Sequence, residues 1–203
     1  MAGDKQSSAV GSHREGDSWP ARGGPGAGIP SEVATLDRVS RPSRVTHPPA
    51  VGVTPPPFAL TDLDGNCLEL RELVLLGPVV LVFFRAAGSP ACVEQLRDYK
   101  LRYAGLYEAG ATLIAICSGD RATALALVER ERLPFPVLVD EDGSVLDRWG
   151  LEGAEGVTRT ATFVLDKSGT VRFRAVDEDD GRTPSARVLD WVGGHGGQGQ
   201  AQS

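Results

Sequence analysis

The run Val79-Val-Leu-Val-Phe-Phe84 constrains this chain more than any other feature. It is apolar throughout, rich in β-branched and aromatic residues, and shows no polar alternation. That pattern fits a strand covered on both faces rather than one with a wet side. A turn of small residues follows Arg85, from Ala86 to Ala91, and then a single cysteine, Cys92. Beyond it, Val93, Leu96, Tyr99, Tyr103 and Leu106 recur at helical spacing over residues 93–108. A buried strand, a tight turn and an amphipathic helix form the first half of a β-α-β unit.

The rest of the chain continues the alternation. FALTDLDGNCLEL reads as a hairpin around Asp64-Gly65. GATLIAIC is a second buried strand, after a stop at Gly110. Residues 120–132 form a helix with Asp120 as N-cap, and FPVLVD is a short strand. SVLDRWGL is a short helix ended by Gly150. ATFVLDKSGTVRFRAV is a pair of strands around Lys167-Ser168-Gly169, and a last helix starts near Thr183-Pro184. The expected fold class is α/β: a mixed central sheet flanked by helices, a three-layer α/β/α sandwich. Its parallel crossover is right-handed, and its site is expected at the C-terminal ends of the parallel strands, where Cys92 and Cys117 both fall.

The 203 residues divide into a Gly/Pro/Ser-rich leader, 1–50, expected to be disordered, a domain over 51–193, and a low-complexity tail, 194–203. The formal net charge of −6 argues against a nucleic-acid partner, which would need a basic face. No run reaches the roughly 18 apolar residues of a membrane span. The N-terminus lacks the apolar core of a secretory signal, so a cytoplasmic location is the default expectation. Three cysteines without a CxxC fit reduced thiols rather than a disulfide framework. The histidines, His13, His47 and His195, all fall in the segments read as tails. That removes a Cys-His pair, a serine triad and most zinc sites, and no cofactor or metal is expected.

A thiol acts as a nucleophile only as thiolate, which a helix N-terminus and a nearby cation both favour. Cys92 has the helix start, Arg85 at the end of the preceding strand, and Ser89 three residues before it as a hydroxyl donor. The same position also suits a small buried cysteine that fills a helix–sheet gap. Position alone leaves both readings open.

PPFALTDLDGNCLEL, VVLVFFRAAGSPAC, LIAICSGD, LPFPVLVDEDGSVLDRWGL and TATFVLDKSGTVRFRAVDEDD occur in an order and at spacings that resemble a peroxiredoxin-like protein of the AhpC/TSA (redoxin) family. The resemblance implies a thioredoxin-like fold and reduction of hydroperoxides by a cysteine thiolate. Against the family pattern PxxxTxxC the chain reads R-A-A-G-S-P-A-C. Ser89 thus stands at the threonine and Cys92 at the peroxidatic cysteine, while Arg85 occupies the usual proline position. The family's second arginine falls on Thr160, with Arg159 one residue away. Against relatives with an FRGxWCPxC stretch, Ser89 replaces the first cysteine.

The resulting expectation is a one-cysteine thiol peroxidase with catalytic Cys92, Ser89 and Arg85. It would act on hydrogen peroxide or organic hydroperoxides and be recycled by thioredoxin or a low-molecular-weight thiol, with a homodimer left open. The alternative is a non-enzymatic thiol sensor or binding module on the same fold. A disulfide reductase is disfavoured because no CxxC exists. Cys117 reads either as a resolving thiol or as a buried strand-end residue, and Cys67 as structural.

Overall fold

The structure is a computed structural model that describes residues 47–152, 158–177 and 183–195. The apolar run forms β3 (Val79–Phe84), buried at every position. It follows a hairpin of β1 (Ala59–Thr61) and β2 (Cys67–Glu69) and a helix α1 (Leu70–Leu76). Next come α2 (Pro90–Glu108), β4 (Thr112–Ser118), α3 (Arg121–Glu131), β5 (Val137–Asp140) and α4 (Ser144–Arg148). Strands β6 (Thr160–Leu165) and β7 (Val171–Asp177) and helix α5 (Ser185–His195) complete the domain.

The central sheet runs β5-β4-β3-β6-β7. β3, β4 and β5 are parallel, and β6 and β7 are antiparallel to their neighbours. Parity along β3 assigns the two faces. Val80, Val82 and Phe84 pack with residues of α2, α3 and α5, whereas Val79, Leu81 and Phe83 pack with α1, α4 and Trp149. This is the three-layer α/β/α sandwich that the alternation of elements predicts, in the thioredoxin-like form that the resemblance implies.

Some boundaries differ from the sequence reading. α2 begins at Pro90, three residues before the helical spacing read from Val93, and holds Cys92 in its first turn as expected. α1 was not expected at all. Pro48 is buried and Gly52 N–H donates to Val171 O at 2.8 Å, so the ordered domain extends back to His47. α5 runs on to His195. The remainder of the expected leader, 1–46, and of the expected tail, 196–203, lie outside the described residues. So do most of the acidic run 177–180 and the segment 153–157. No described helix is long and apolar enough to cross a membrane.

Asp120 caps α3 as expected, accepting from Thr123 N–H at 2.8 Å. The other end of α3 is tied to α2 by Glu131. Its carboxylate accepts from Arg97 Nε at 2.6 Å and Nη2 at 2.9 Å and from Arg130 Nε at 3.0 Å, while its carbonyl accepts from Lys100 Nζ. Bonding to the two guanidinium groups holds the Glu131 carboxyl at about 2, below the ordinary 4.5. A depressed carboxyl stabilises the fold above its unfolded value and loses that contribution as pH falls through the folded one. Thermal denaturation between neutral pH and about pH 3 is therefore expected to show a shallower acid limb in Glu131→Gln than in the wild type.

Candidate active site

Two residues of the turn fix the start of α2. Ser89 N–H donates to Ala86 O at 3.1 Å, closing the turn, and Ser89 O accepts from Val93 N–H at 3.0 Å as the first bond of the helix. Pro90 has no N–H to lose. The amides of Ala91 and Cys92 belong to the first helical turn, where no helix carbonyl is in reach. Cys92 is the third residue of α2, 3% exposed, beside amides whose partial positive charge favours an anion. Ser89 is the N-cap, yet its hydroxyl makes no capping bond to the helix.

Parity in β3 and β4 brings the other expected residues to the same end. Phe84 and Cys117 are register partners on the two parallel strands, and both pack in the cluster that contains Cys92. Arg85 extends β3 beyond that pair, and its carbonyl accepts from the Ser118 hydroxyl at 3.3 Å. The sequence-predicted trio, Arg85, Ser89 and Cys92, therefore surrounds one turn at the C-terminal edge of the parallel strands.

Cys117 is a buried strand-end thiol. Its Sγ points to Leu138 O at 3.8 Å. Burial, followed by the neighbouring charges of Cys92, Asp120 and Asp140, pushes it up to about 12. A thiol held protonated is a poor attacking group. Cys67 is exposed on the β1–β2 hairpin, whose strand residues Leu60 and Leu68 pack with the cluster on the opposite face of the sheet. Trp149 and Phe135 are core residues. At the end of β5 the buried Asp140 carboxylate accepts from Val145 N–H at 3.0 Å and Leu146 N–H at 2.8 Å, and burial raises it above the usual carboxylate range.

Alternation in β6 settles where Thr160 and Arg159 lie. Thr162 accepts from or donates to Tyr99 Oη of α2 at 3.1 Å, and Val164 packs in the same cluster as Cys92. Thr160 shares their parity and faces the α2 side, buried. Arg159, one residue earlier, has the parity of Ala161 and Phe163, which pack on the other face. The cation expected from this strand is replaced by a neutral hydroxyl on the Cys92 side.

Two buried polar side chains escaped the sequence reading. Gln95 lies one turn beyond Cys92, is 2% exposed, and among the described residues neither its Nε2 nor its Oε1 has a hydrogen-bond partner. Thr183, just before α5, is 3% exposed, and its Oγ1 is likewise without a partner among the described residues. The signal for Gln95 was present: an amide three residues after a candidate cysteine, at an apolar phase of the helix.

The AhpC/TSA family model matches residues 51–174. The chain is 36% identical over 124 residues to a chloroplastic peroxiredoxin Q from Triticum aestivum, covering 60% of this chain and 57% of that protein. It is 32% identical over 149 residues to one from Gentiana triflora, covering 66% and 68%. The chain thus spans between just over half and about two thirds of the length of these relatives. Among solved structures, peroxidoxin BcpB from Mycobacterium tuberculosis superposes with a TM-score of 0.67 at 25% identity, over 72% of this chain and 98% of that one. AhpC from the same organism shares the fold, with a TM-score of 0.67 at 16% identity over 76% and 97%. The curated relatives contradict the default of a cytoplasmic location, since they are chloroplastic proteins. The lack of a secretory signal never addressed other compartments. With its parallel-strand edge, its turn and its cysteine at the head of α2, the chain belongs to the AhpC/TSA family of peroxiredoxin-like proteins.

Proposed function

We propose that the chain is a one-cysteine thiol peroxidase. The observation that carries this reading is the placement of Cys92 in the first turn of α2, at the edge where β3 delivers Arg85 and the turn delivers Ser89. The Cys92 thiolate attacks the terminal oxygen of a hydroperoxide. An S–O bond forms and the O–O bond breaks. Sulfur loses two electrons to become the sulfenic acid, and the leaving alkoxide or hydroxide takes the proton released when the thiol ionised. Arg85, the Ser89 hydroxyl and the first-turn amides stabilise the thiolate and the negative charge that grows on the leaving oxygen.

A one-cysteine cycle is supported by the other two thiols. Cys117 is held protonated against Leu138 O, and Cys67 is exposed on the β1–β2 hairpin, apart from the start of α2. The sulfenic acid is then reduced from outside, by thioredoxin or a low-molecular-weight thiol. One observation favours the slower thiol-sensor reading: Thr160, not arginine, faces α2 from β6. Both readings are tested by treating the reduced protein with one equivalent of hydrogen peroxide and a sulfenic-acid trap, followed by peptide mass spectrometry. The expected result is prompt labelling of Cys92 alone. Labelling of Cys67, or a Cys92–Cys117 disulfide in place of the label, would overturn the one-cysteine cycle. Labelling of Cys92 only after prolonged exposure would select the sensor.

A further inference from the structure

Gln95 and Thr183 come from separate elements, yet the packing brings them to one level of the fold. Gln95 is three residues before Asp98 and four before Tyr99, so it lies one turn nearer the start of α2 than both, on the same side. Asp98 faces α5: its Oδ2 accepts from Ser185 N–H at 2.8 Å, and its carbonyl accepts from the Ser185 hydroxyl at 3.1 Å. Tyr99 faces β6 through Thr162. Gln95 therefore looks into the corner between the start of α5 and the start of β6.

The direction of α5 fixes the place of Thr183. Asp98 meets Ser185, and a Cβ on Gly105 would lie 3.3 Å from Leu189, so α5 runs parallel to α2. The residues before Ser185 thus lead toward the start of α2, and Thr183, two residues earlier, lies toward the level of Gln95. The strand supplies the third wall. β6 is antiparallel to β3, so its first residue, Thr160, lies at the Cys92 end and is paired with Asp177, where β7 leaves the sheet. Gln95, Thr160 and Thr183 thus converge toward the corner at the Cys92 end of the sheet, and among the described residues the side chains of Gln95 and Thr183 have no hydrogen-bond partner.

A buried polar atom without a partner costs stability that an apolar isostere would not. Two such side chains, converging on a candidate nucleophile where the family's arginine is missing, fit a ligand that supplies the partners. A hydroperoxide both donates, through its O–H, and accepts, through its oxygens. The Gln95 amide and a hydroxyl can match both roles, whereas a guanidinium can only donate. We propose that Thr183, together with Gln95, is a substrate-contacting residue that holds the hydroperoxide over Cys92 and donates to its leaving oxygen. This rests on the peroxidase reading. When the Cys92 S–O bond forms and the O–O bond breaks, the Gln95 Nε2 and Thr183 Oγ1 donors meet the oxygen that receives the electron pair.

The test pairs a rate with a stability. Thr183→Val and Gln95→Met remove the polar atoms at near-constant volume. Each is expected to slow the oxidation of Cys92 by hydrogen peroxide about tenfold or more, while leaving the melting temperature unchanged or raised. Thr183→Ser keeps the hydroxyl and should retain at least about half of the wild-type rate, since the donor survives. A wild type that reacts fast while Thr183→Val and Gln95→Met react equally fast would overturn this proposal alone. Thr183→Ser as slow as Thr183→Val would assign the loss to packing and overturn it as well. A wild type no faster than a free thiol would remove the peroxidase reading and this proposal together.

Discussion

Cys92→Ser is expected to reduce peroxide consumption to the uncatalysed background, while Cys67→Ser and Cys117→Ala keep the rate of the wild type. A serine hydroxyl at the same position is not ionised near neutrality and cannot take up the peroxide oxygen reversibly. The Cys67 side chain is exposed on the β1–β2 hairpin and belongs to neither core cluster, so its loss leaves the corner around Cys92 intact. Cys117 lies in the same cluster as Cys92 but is held protonated, with its Sγ directed at Leu138 O. Peroxide consumption by each variant, with a small-molecule thiol as reductant, separates the three cysteines. A Cys117→Ala variant that is oxidised normally but cannot be recycled would return Cys117 to the resolving role.

The largest loss of stability is expected from Trp149→Ala. Trp149 has no exposed surface and packs at tilted or edge-on angles against Phe83 at 5.1 Å, Phe163 at 5.2 Å and Phe58 at 6.2 Å between ring centroids. Its indole N–H donates to Pro56 O at 3.1 Å, fastening the segment before β1 to the core. Truncating a buried tryptophan costs about 3–5 kcal/mol, from a total of about 5–15 for a typical domain. At about 2–4 °C per kcal/mol for a chain of this size, the melting temperature should fall on the order of 10 °C. Differential scanning calorimetry measures this directly. A fall of only a degree or two would mean that the face of the sheet carrying α1 and α4 contributes little. Cys92 and its corner lie on the other face, so the folded fraction of this variant should still react with peroxide.

Most of the architecture was legible because it is written in periodicity. The uninterrupted β-branched and aromatic run at 79–84 fits an interior strand, and the helical spacing after Cys92 marks α2. α1 was hidden because Leu70, Leu73 and Val74 are followed by Leu75 and Leu76, both more than 70% exposed, which blurs the 3.6-residue period in a helix of seven residues. That Arg85, Ser89 and Cys92 share one turn was readable because they lie within eight residues of chain. So was the consequence of Thr160, since strand alternation alone decides which of residues 159 and 160 faces α2. Gln95 and Thr183 were not readable as a pair. Their burial and their missing partners arise from the parallel packing of α5 on α2, across nearly 90 residues of chain that carry no local signal of that contact. Location was not readable either, because the absence of one targeting signal does not choose among the remaining compartments.

The central claim is that the start of α2 makes the Cys92 thiol fast toward peroxide. The most direct measurement is the second-order rate constant of the fully reduced protein with hydrogen peroxide, followed by stopped flow and compared with free cysteine under the same conditions. The account predicts a rate orders of magnitude above that of the free thiol, lost in Cys92→Ser. A rate equal to that of free cysteine, with Cys92 unreacted on the stopped-flow timescale, would contradict it.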